Sequence, residues 1–568
     1  MSRPVAPEGA APGQTVLAEA VSPDAPGGCW VLRLVTAARR SPGLGPHLTI
    51  AALLVLILGI SVRTGIVPVR SYVNDLVFFA DNGWRVLWGQ RPHVDYSSGF
   101  GPVTFLLSAL GLKLAGGNLN GLGYANAFAG TVVGIWAYAL LVRRVSGLLA
   151  VAGAAMLCLL ALAPVQIGES FRLSTIAMSY NRLGYGLLAL LIIESFPLRQ
   201  EGPARGVGGS VSTGAVCAIL LFLKANYFLV GLVLAAVSLV WNGRLERRRL
   251  FGVAAGFAVV AMAFLAYLRF DVGAMLSDLR MAADARGGGV SPWFGIQVFA
   301  ENFPGFVILA GLAAMAQLVE PPASERGWVA RVLRFRPLLL AGMVYVAGVA
   351  LLVTNCQLER LPMHELLALL LLDCILQCSW LEARHAAVLC AMGIGLILGP
   401  QSADPLALLN GLRLKLHRPQ KFAYPVTSGG YAGAVFMDDY QENRGTHHAF
   451  GSFLATYLTD GTDLLRRELK PGEKVATMDV YNPFPFALGS EPPRGGMACA
   501  GYKYLFSDRF HPSVDAFFGN ADVVMFPKEH ELADAGWQGL VIYYIPEMER
   551  RFVQVAESAQ WRMYRRRK

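Results

Sequence analysis

Long apolar runs constrain this chain more than any other feature of its sequence. Residues 48–67, 123–141 and 251–268 are each close to the roughly 20 apolar residues that a helix needs to cross a bilayer. Charged residues make up 15% of the chain, whereas soluble domains carry about 25%. This composition excludes a soluble enzyme, a fibrous protein and a disordered chain. The runs predict a polytopic α-helical membrane protein.

The net charge of +10 is unevenly distributed along the chain. Residues 401–568 contain 20 basic and 19 acidic side chains, whereas the first 400 residues contain 29 basic and 20 acidic ones. Because Lys and Arg collect in cytoplasmic loops, the surplus indicates orientation and not nucleic-acid binding. Arg33, Arg39 and Arg40 precede the first apolar run and predict a cytoplasmic N-terminus.

The basic clusters between the apolar runs also predict the number of spans. If every cluster is cytoplasmic, about eleven spans fit, near residues 48–67, 123–142, 146–163, 183–197, 208–223, 226–242, 250–268, 304–320, 337–355, 362–380 and 386–400. This odd number places the C-terminal region outside the cytoplasm. We therefore expect a multi-pass protein of the inner (cytoplasmic) membrane, with its C-terminal domain periplasmic or otherwise extracytoplasmic.

The remaining segments divide the chain into three regions. Residues 1–46, rich in Pro, Ala and Gly, predict a disordered cytoplasmic tail ahead of a transmembrane domain over residues 47–400. Residues 401–568 have the composition of a soluble domain, and their alternation predicts a small extracytoplasmic α/β domain. We expect its helix over residues 451–469 and strands at residues 474–480, 521–526 and 561–564.

Two external loops stand out between the spans. The first, residues 68–122, is long, and long structured loops in compact proteins are usually functional. It contains a short amphipathic segment over residues 76–88 and an apolar segment over residues 101–115 that we interpret as an interfacial helix. The second, residues 269–303, carries mixed charges and a glycine triplet, and these features predict a mobile loop.

Residues 74–102, NDLVFFADNGWRVLWGQRPHVDYSSGFGP, form the most informative stretch of the sequence. Asp75 follows the first span, Leu87-Trp88-Gly89 ends the amphipathic segment, and Asp95-Tyr96 follows shortly afterwards. This pattern resembles the first external loop of the GT-C glycosyltransferases. The similar members are the aminoarabinose transferases of lipid A, the protein O-mannosyltransferases and the lipopolysaccharide galacturonosyltransferases. The motif-level resemblance covers about residues 70–146.

The resemblance implies a fold and an activity. It implies a GT-C-like membrane enzyme that moves a sugar from a polyprenyl-phosphate donor to an extracytoplasmic glycan, lipid or protein acceptor, with inversion at the anomeric carbon. Many members have two consecutive acidic residues at the first position, whereas Leu76 follows Asp75 here. No cofactor is indicated, and a divalent metal is left open.

Two acidic residues of this loop are candidate site residues. Asp75 can be the general base, because partial desolvation at a membrane boundary raises a carboxyl pKa toward a useful range. It can equally be the N-cap of the following helix, a position that Asp favours. Asp95 can orient the acceptor or hold the loop against its neighbours.

Basic side chains between the spans are candidates for binding the donor phosphate. Lys224 lies at the turn between two spans, where a charged group is costly. It can bind phosphate, or its charge can snorkel to the membrane surface. The other candidates, all of which can instead bind lipid headgroups, are Arg172, Arg182, Arg280, Arg286 and Arg360, with Glu169 close to the first two.

Two other functions fit a protein of this class. The chain can be a transporter or flippase for a lipid-linked sugar, or a non-catalytic envelope scaffold. The sequence shows no inverted repeat of the kind found in many transporters, and its large C-terminal domain favours the enzyme.

Overall fold

A computed structural model gives the fold of this protein. It describes residues 44–196, 206–241, 246–287, 291–319, 335–355, 357, 360–376, 383–417, 423–427, 429–437, 450–528 and 535–568, and the statements below concern these residues. The predicted tail over residues 1–46 lies almost entirely outside them. Several of the basic clusters used to predict the orientation, among them Arg199 and Arg326, also lie outside them.

Helices dominate the first 416 residues. They are α1 (Leu44–Thr64), α2 (Val73–Leu87), α3 (Pro102–Leu114), α4 (Asn120–Leu141), α5 (Gly147–Leu162), α6 (Ser179–Ser195), α7 (Gly206–Leu223), α8 (Ala225–Trp241), α9 (Arg247–Tyr267), α10 (Val272–Gly287), α11 (Pro292–Val319), α12 (Arg336–Thr354), α13 (Pro362–Leu376), α14 (Ala383–Gln401) and α15 (Ala403–Leu416). Each of the predicted spans coincides with one of these helices.

The apolar helices form a membrane-spanning bundle. Among the described residues, α1, α4, α9, α11 and α12 are long and apolar enough to cross a bilayer, judged by length and composition. α3, α5, α7 and α8 are shorter apolar helices. Apolar side chains such as Val55, Phe251 and Val259 are at least 70% exposed, an arrangement that suits contact with lipid. The predicted polytopic helical membrane fold is confirmed.

The C-terminal region folds into a small α/β domain, as predicted. Its described elements are β1 (Ala423–Pro425), β2 (Val435–Met437), α16 (Phe450–Glu468), β3 (Val475–Thr477), α17 (Phe484–Leu488), α18 (Val514–Phe518), β4 (Val523–Pro527), α19 (Ala535–Tyr543), α20 (Ile545–Arg551), β5 (Phe552–Glu557) and β6 (Trp561–Arg566). The four-stranded sheet has the order β3-β4-β6-β5, with β3 and β4 parallel and the other pairs antiparallel.

The first loop and the C-terminal domain share one core. The backbone N–H of Val69 donates to Val435 in β2, and Asn82 of α2 donates to the carbonyl of Ala498 at 3.0 Å. Apolar side chains of α2 pack in the same cluster as those of β3, β4 and α17. The domain is therefore fixed against the loop that carries the GT-C-like sequence pattern.

The segment over residues 269–303 differs from the mobile loop predicted for it. It contains α10 and the first turns of α11, which starts at Pro292 and continues through Pro304. Asp271 caps α10, because its Oδ1 accepts the backbone N–H of Ala274 at 3.0 Å. The mixed charges of α10 face two partners, since Asp278 bonds to the first loop and Asp284 to Ser507 of the domain.

Candidate active site

A cleft of about 230 Å³ opens where the first loop, α10 and the C-terminal domain meet. The membrane half of the protein contributes Asp75, Phe78, Phe100, Met178, Tyr180 and Arg286 to its lining, and the C-terminal domain contributes Val480, Tyr481, Cys499, Gly501, Tyr504 and Leu505. The cleft thus has aromatic walls and a few polar groups that converge on it, a common composition of small-molecule sites.

Asp75 lies in the first turn of α2 with its carboxylate turned toward the cleft. Its Oδ2 accepts the backbone N–H of Met178 at 3.1 Å, from the segment that precedes α6. Within the described residues, the N-cap position of α2 is Tyr72, which makes no side-chain capping bond. The hydrogen bond that the Asp75 carboxylate accepts from Met178 therefore fixes the segment before α6, which is distant in sequence, and does not cap α2.

The backbone around Asp75 is strained on both sides. Tyr72, three residues earlier, has φ +50°, and Met178, the hydrogen-bond donor, has φ +52°. Left-handed conformations of bulky residues cost about 1–3 kcal/mol each and cluster at functional sites. Here the two conformations bring residues 72–75 and 178–180 against each other and so place the carboxylate at the cleft.

Burial raises the pKa of Asp75 to about 6, and the hydrogen bond from Met178 partly offsets this rise by lowering the pKa. The residue remains half-buried because the cleft gives access to its carboxylate. A carboxylate with such a pKa is ionised at neutral pH and can still accept a proton. This combination meets the chemical requirement for a general base.

Arg286, at the end of α10, supplies a positive charge to the same cleft. Its Nη1 donates to the carbonyl of Thr354 at 2.7 Å, which anchors the guanidinium to the end of α12. Tyr180 and Cys499 each interact electrostatically with both Asp75 and Arg286. The carboxylate and the guanidinium therefore both lie within electrostatic range of Tyr180 and Cys499.

Lys224 lies behind the cleft wall. Its Nζ donates to Oδ1 of Asn181 at 3.1 Å and of Asn355 at 2.6 Å, and it lies 5.0 Å from the centre of the Tyr180 ring. The loop reaches this turn through Gly101, where an added Cβ would be 1.9 Å from the carbonyl oxygen of Phe222. Lys224 is thus fixed beside Tyr180 and does not line the cleft.

Two predicted phosphate ligands, Arg182 and Arg360, form a buried network with carboxylates. Both bond to Asp404 of α15, and Arg360 also bonds to Glu365, with Nε to Oε1 at 2.9 Å. Each of these four side chains is at most 5% exposed. Their charges balance within the network, so the structure does not bring these arginines to the cleft.

The other predicted residues also lie outside the cleft lining. Asp95 accepts the N–H of Arg91 at 2.8 Å and pairs with Arg494 of the domain at 3.2 Å. Arg280 stacks over Phe510, 4.7 Å from the ring centre. Glu169 lies in a turn closed by its own N–H and the carbonyl of Gln166, and Arg172 lines a second cleft described below. The contact of Asp95 joins the first loop to the domain, and that of Arg280 joins α10 to it.

Most of the cleft residues that the sequence did not indicate come from the C-terminal domain. Tyr481 and Cys499 are hydrogen-bonded to each other, and burial raises the pKa of the Cys499 thiol to about 12. Tyr481 directly precedes the segment 482–489, whose aromatic residues were the available signal for a wall near the membrane.

The sequence left undecided whether the protein binds a divalent metal ion. Asp75 is the only acidic side chain among the described lining residues, and no group of three or more His, Cys, Asp or Glu side chains clusters in the described part of the chain. The described residues of the cleft do not fit a metal ion, and no step proposed below uses one.

No family model and no curated protein matches this chain. Among solved structures, the chain is similar to ArnT from Cupriavidus metallidurans bound to undecaprenyl phosphate, with a TM-score of 0.45 and 13% identity over 92% of this chain and 98% of that one. The apo state of the same ArnT gives a TM-score of 0.42 at 14% identity, over 92% and 97% of the two chains.

The chain is also similar to the oligosaccharyltransferase of Archaeoglobus fulgidus in complex with Zn and sulfate. This similarity has a TM-score of 0.34 and 13% identity, over 89% of this chain and 72% of that one. At these scores and identities the likeness describes the general course of the chain. The function proposed next is therefore based on the side chains of the cleft and on the sequence pattern of the first loop.

Proposed function

We propose that this protein is a membrane glycosyltransferase of the GT-C type. It transfers a sugar from a polyprenyl-phosphate donor to an extracytoplasmic glycan, lipid or protein acceptor, with inversion of the anomeric centre. The observation that carries this proposal is the position of Asp75. Its carboxylate faces the cleft that Arg286 also lines, with a raised pKa of about 6, and it lies within the loop that resembles the GT-C pattern.

The reaction is a single displacement. The acceptor hydroxyl oxygen attacks the anomeric carbon, while Asp75 takes up the hydroxyl proton. The bond between the anomeric carbon and the phosphate oxygen breaks, and its electron pair leaves on the polyprenyl phosphate. The products are the new glycoside, the lipid phosphate and a protonated Asp75, which returns its proton to solvent through the open side of the cleft.

The cations of the site stabilise the departing phosphate. Arg286 donates one of its five N–H groups to Thr354, and its side chain lines the cleft. Charge-assisted bonds from a guanidinium to phosphate are among the stronger hydrogen bonds in proteins. Lys224 acts at longer range, because its ammonium lies behind the Tyr180 ring and contributes a positive field to the cleft.

The direct test is a transfer assay on the purified full-length protein. Wild-type protein with a radiolabelled polyprenyl-phosphate sugar and envelope acceptors should form a new labelled glycoside. Asp75→Asn keeps the shape of the side chain but cannot accept the proton, and the rate should fall about 10²–10⁴-fold. Asp463→Asn, an exposed carboxylate of α16, is the matched control and should leave the rate unchanged.

Two outcomes would contradict the proposal. Unchanged turnover by Asp75→Asn would exclude Asp75 as the base. Label that crosses sealed vesicles without a new glycosidic bond would instead support the flippase.

The extracytoplasmic position of the site needs its own test. Lys470 lies in the exposed turn between α16 and β3, at a distance from the cleft. In intact cells, Lys470→Cys should react with a thiol reagent that does not cross the membrane. Reaction only after lysis would place the domain, and with it the site, on the cytoplasmic side.

A further inference from the structure

A second cleft, of about 530 Å³, lies beside the first span and shares none of its described lining residues with the candidate active site. Its lining includes three arginines, Arg70, Arg172 and Arg413, and no acidic side chain among the described residues. We refer to it as the arginine cleft. A cleft lined by cations and no acid favours an anionic ligand.

The charges of this cleft differ from those of the neighbouring buried network. Arg182 and Arg360 are neutralised by Asp404 and Glu365. Among the described residues, Arg172 stacks on Phe171 and Arg413 bonds to Asn410, and neither contacts a carboxylate. Their positive charges therefore remain available to a ligand.

The floor of the arginine cleft is fixed by hydrogen bonds. Asn410 is 9% exposed, and its Nδ2 donates to the carbonyl of Phe171 at 3.4 Å. Its Oδ1 accepts Nη2 of Arg413 at 3.0 Å, which holds that guanidinium toward the cleft. Arg413 keeps four of its five N–H groups for other acceptors. A positioned guanidinium loses less conformational freedom on binding than a mobile one.

The other wall of the cleft is apolar and exposed. Leu406 and Leu409 line it and are 42% and 52% exposed, and Leu416 continues the same face of α15 with 56% exposure. α15 packs over the end of the first span, since a Cβ added at Gly411 would touch Val67 and Thr64. An exposed leucine face next to cations at the end of a span is typical of a helix in the membrane interface.

We infer that the arginine cleft binds the phosphate headgroup of an anionic phospholipid from the surrounding bilayer. Arg172 and Arg413 bond to the phosphate, and the leucine face of α15 packs against the acyl chains. Basic pockets beside membrane helices bind lipid headgroups in this manner. The inference concerns a site separate from the transfer reaction and does not depend on the proposed function.

The bound lipid also stabilises the segments that position Asp75. The backbone N–H of Arg70 donates to Ser174 at 2.8 Å, and that of Met178 to Asp75 at 3.1 Å. Residues 70–75 and 172–178 thus connect the two clefts. Arg70 and Asp75, five residues apart, are separated by at most about 18 Å. Lipid occupancy should therefore raise the thermal stability of the protein.

The test compares lipid retention by the full-length protein and its variants in native mass spectrometry. The protein is exchanged from nanodiscs of phosphatidylcholine, with or without phosphatidylglycerol, into mild detergent. Wild-type protein should retain phosphatidylglycerol, and Arg172→Gln/Arg413→Gln should bind it roughly 30-fold more weakly, at about 1 kcal/mol for each arginine. Arg466→Gln/Arg467→Gln, with the same charge change on exposed residues of α16, should retain it like wild type.

A second variant keeps the proposal testable if the arginine variant does not fold. Leu406→Ser/Leu409→Ser retains every charge and should weaken binding of long-chain phosphatidylglycerol but not of a short-chain analogue. Equal retention by the arginine variant and the wild type would overturn the inference, as would equal retention of phosphatidylcholine. Displacement of the lipid by inorganic phosphate at low concentration would assign the site to free phosphate.

Discussion

Asp75, which is half-buried, and Asp404, which is buried, are two carboxylates held in opposite electrostatic environments. Burial raises the pKa of Asp75 to about 6, and its recorded hydrogen bond comes from a backbone amide. Burial also acts to raise the pKa of Asp404, but the guanidiniums of Arg182 and Arg360 hold it below its usual range. One carboxylate is therefore able to exchange a proton near neutral pH, and the other remains charged.

The difference separates the carboxylate proposed as a base from one with a structural role. A carboxylate that is bonded by two arginines is held in its ionised form, and its proton affinity is too low for a base. A carboxylate that is desolvated beside an open cleft has a higher proton affinity and is open to an acceptor hydroxyl. Burial and charge alone do not distinguish the two cases, whereas the identity of the hydrogen-bond donors does.

The largest effect on stability should come from Asp404→Asn. The substitution leaves Arg182 and Arg360 buried with only Glu365 to balance them, and breaking a buried ion pair typically costs about 3–5 kcal/mol. Thermal unfolding in detergent should show a melting temperature lower by several degrees, whereas Asp75→Asn should not lower it. A melting temperature equal to that of the wild type would remove the structural role assigned to Asp404.

Arg286→Gln should weaken the donor interaction. The side chain remains polar, but the loss of a charge-assisted bond to phosphate removes about 1.5–3 kcal/mol, or roughly 10- to 150-fold in kcat/KM for the donor. Kinetics at varied donor concentration measure this change. Arg280→Gln, on the same helix but stacked on Phe510, is the matched control. A comparable loss in both variants would indicate a general effect on α10.

The pH dependence of transfer should follow the ionisation of Asp75. A base acts in its ionised form, so kcat/KM should be constant above about pH 7 and fall tenfold per unit below about pH 6, which is the raised pKa. An ordinary Asp, with a pKa of 3.8, would sustain transfer to much lower pH. A rate that stays constant down to pH 4 would contradict the base assignment.

The smallest effect should come from Arg494→Gln. Arg494 pairs with Asp95 at 3.2 Å, and its side chain is 59% exposed whereas that of Asp95 is 8% exposed. Because water solvates the guanidinium and Asp95 also accepts the N–H of Arg91, the pair should contribute about 0–1 kcal/mol. Melting temperature and transfer rate should both stay close to wild type. A large increase in the KM of the acceptor would instead indicate that this pair binds substrate.

The sequence predicted the fold well because the signal for a membrane helix is local. The apolar runs placed the spans within a few residues, apart from α11, which starts at Pro292 and not near residue 304. The amphipathic helix α2 and three of the four strands of the main sheet were also predicted. α10 was missed because its 16 residues show no clear apolar period, and its charges bond to distant partners.

The site was harder to predict from the sequence, because the polar side chains concerned bond to residues that lie far away along the chain. Arg182 and Arg360 were predicted as phosphate ligands, yet their shared partner Asp404 follows them by 222 and 44 positions. Tyr481 and Cys499 carry no local motif, and only the packing of the domain on α2 brings them to the cleft. Asp75 was a candidate because it follows the first apolar run closely, whereas Arg286 was named only as one of several basic residues between the spans.

The residues that form the two walls of the cleft lie far apart in the sequence. Asp75 belongs to one wall and Leu505 to the other. During synthesis the membrane helices emerge and insert first, and the domain residues that complete the cleft emerge near the end. A nascent chain that stops before residue 505 therefore has its carboxylate but no opposite wall. If the proposed function is correct, such a chain does not turn over the donor, and the order of synthesis itself keeps incomplete protein inactive.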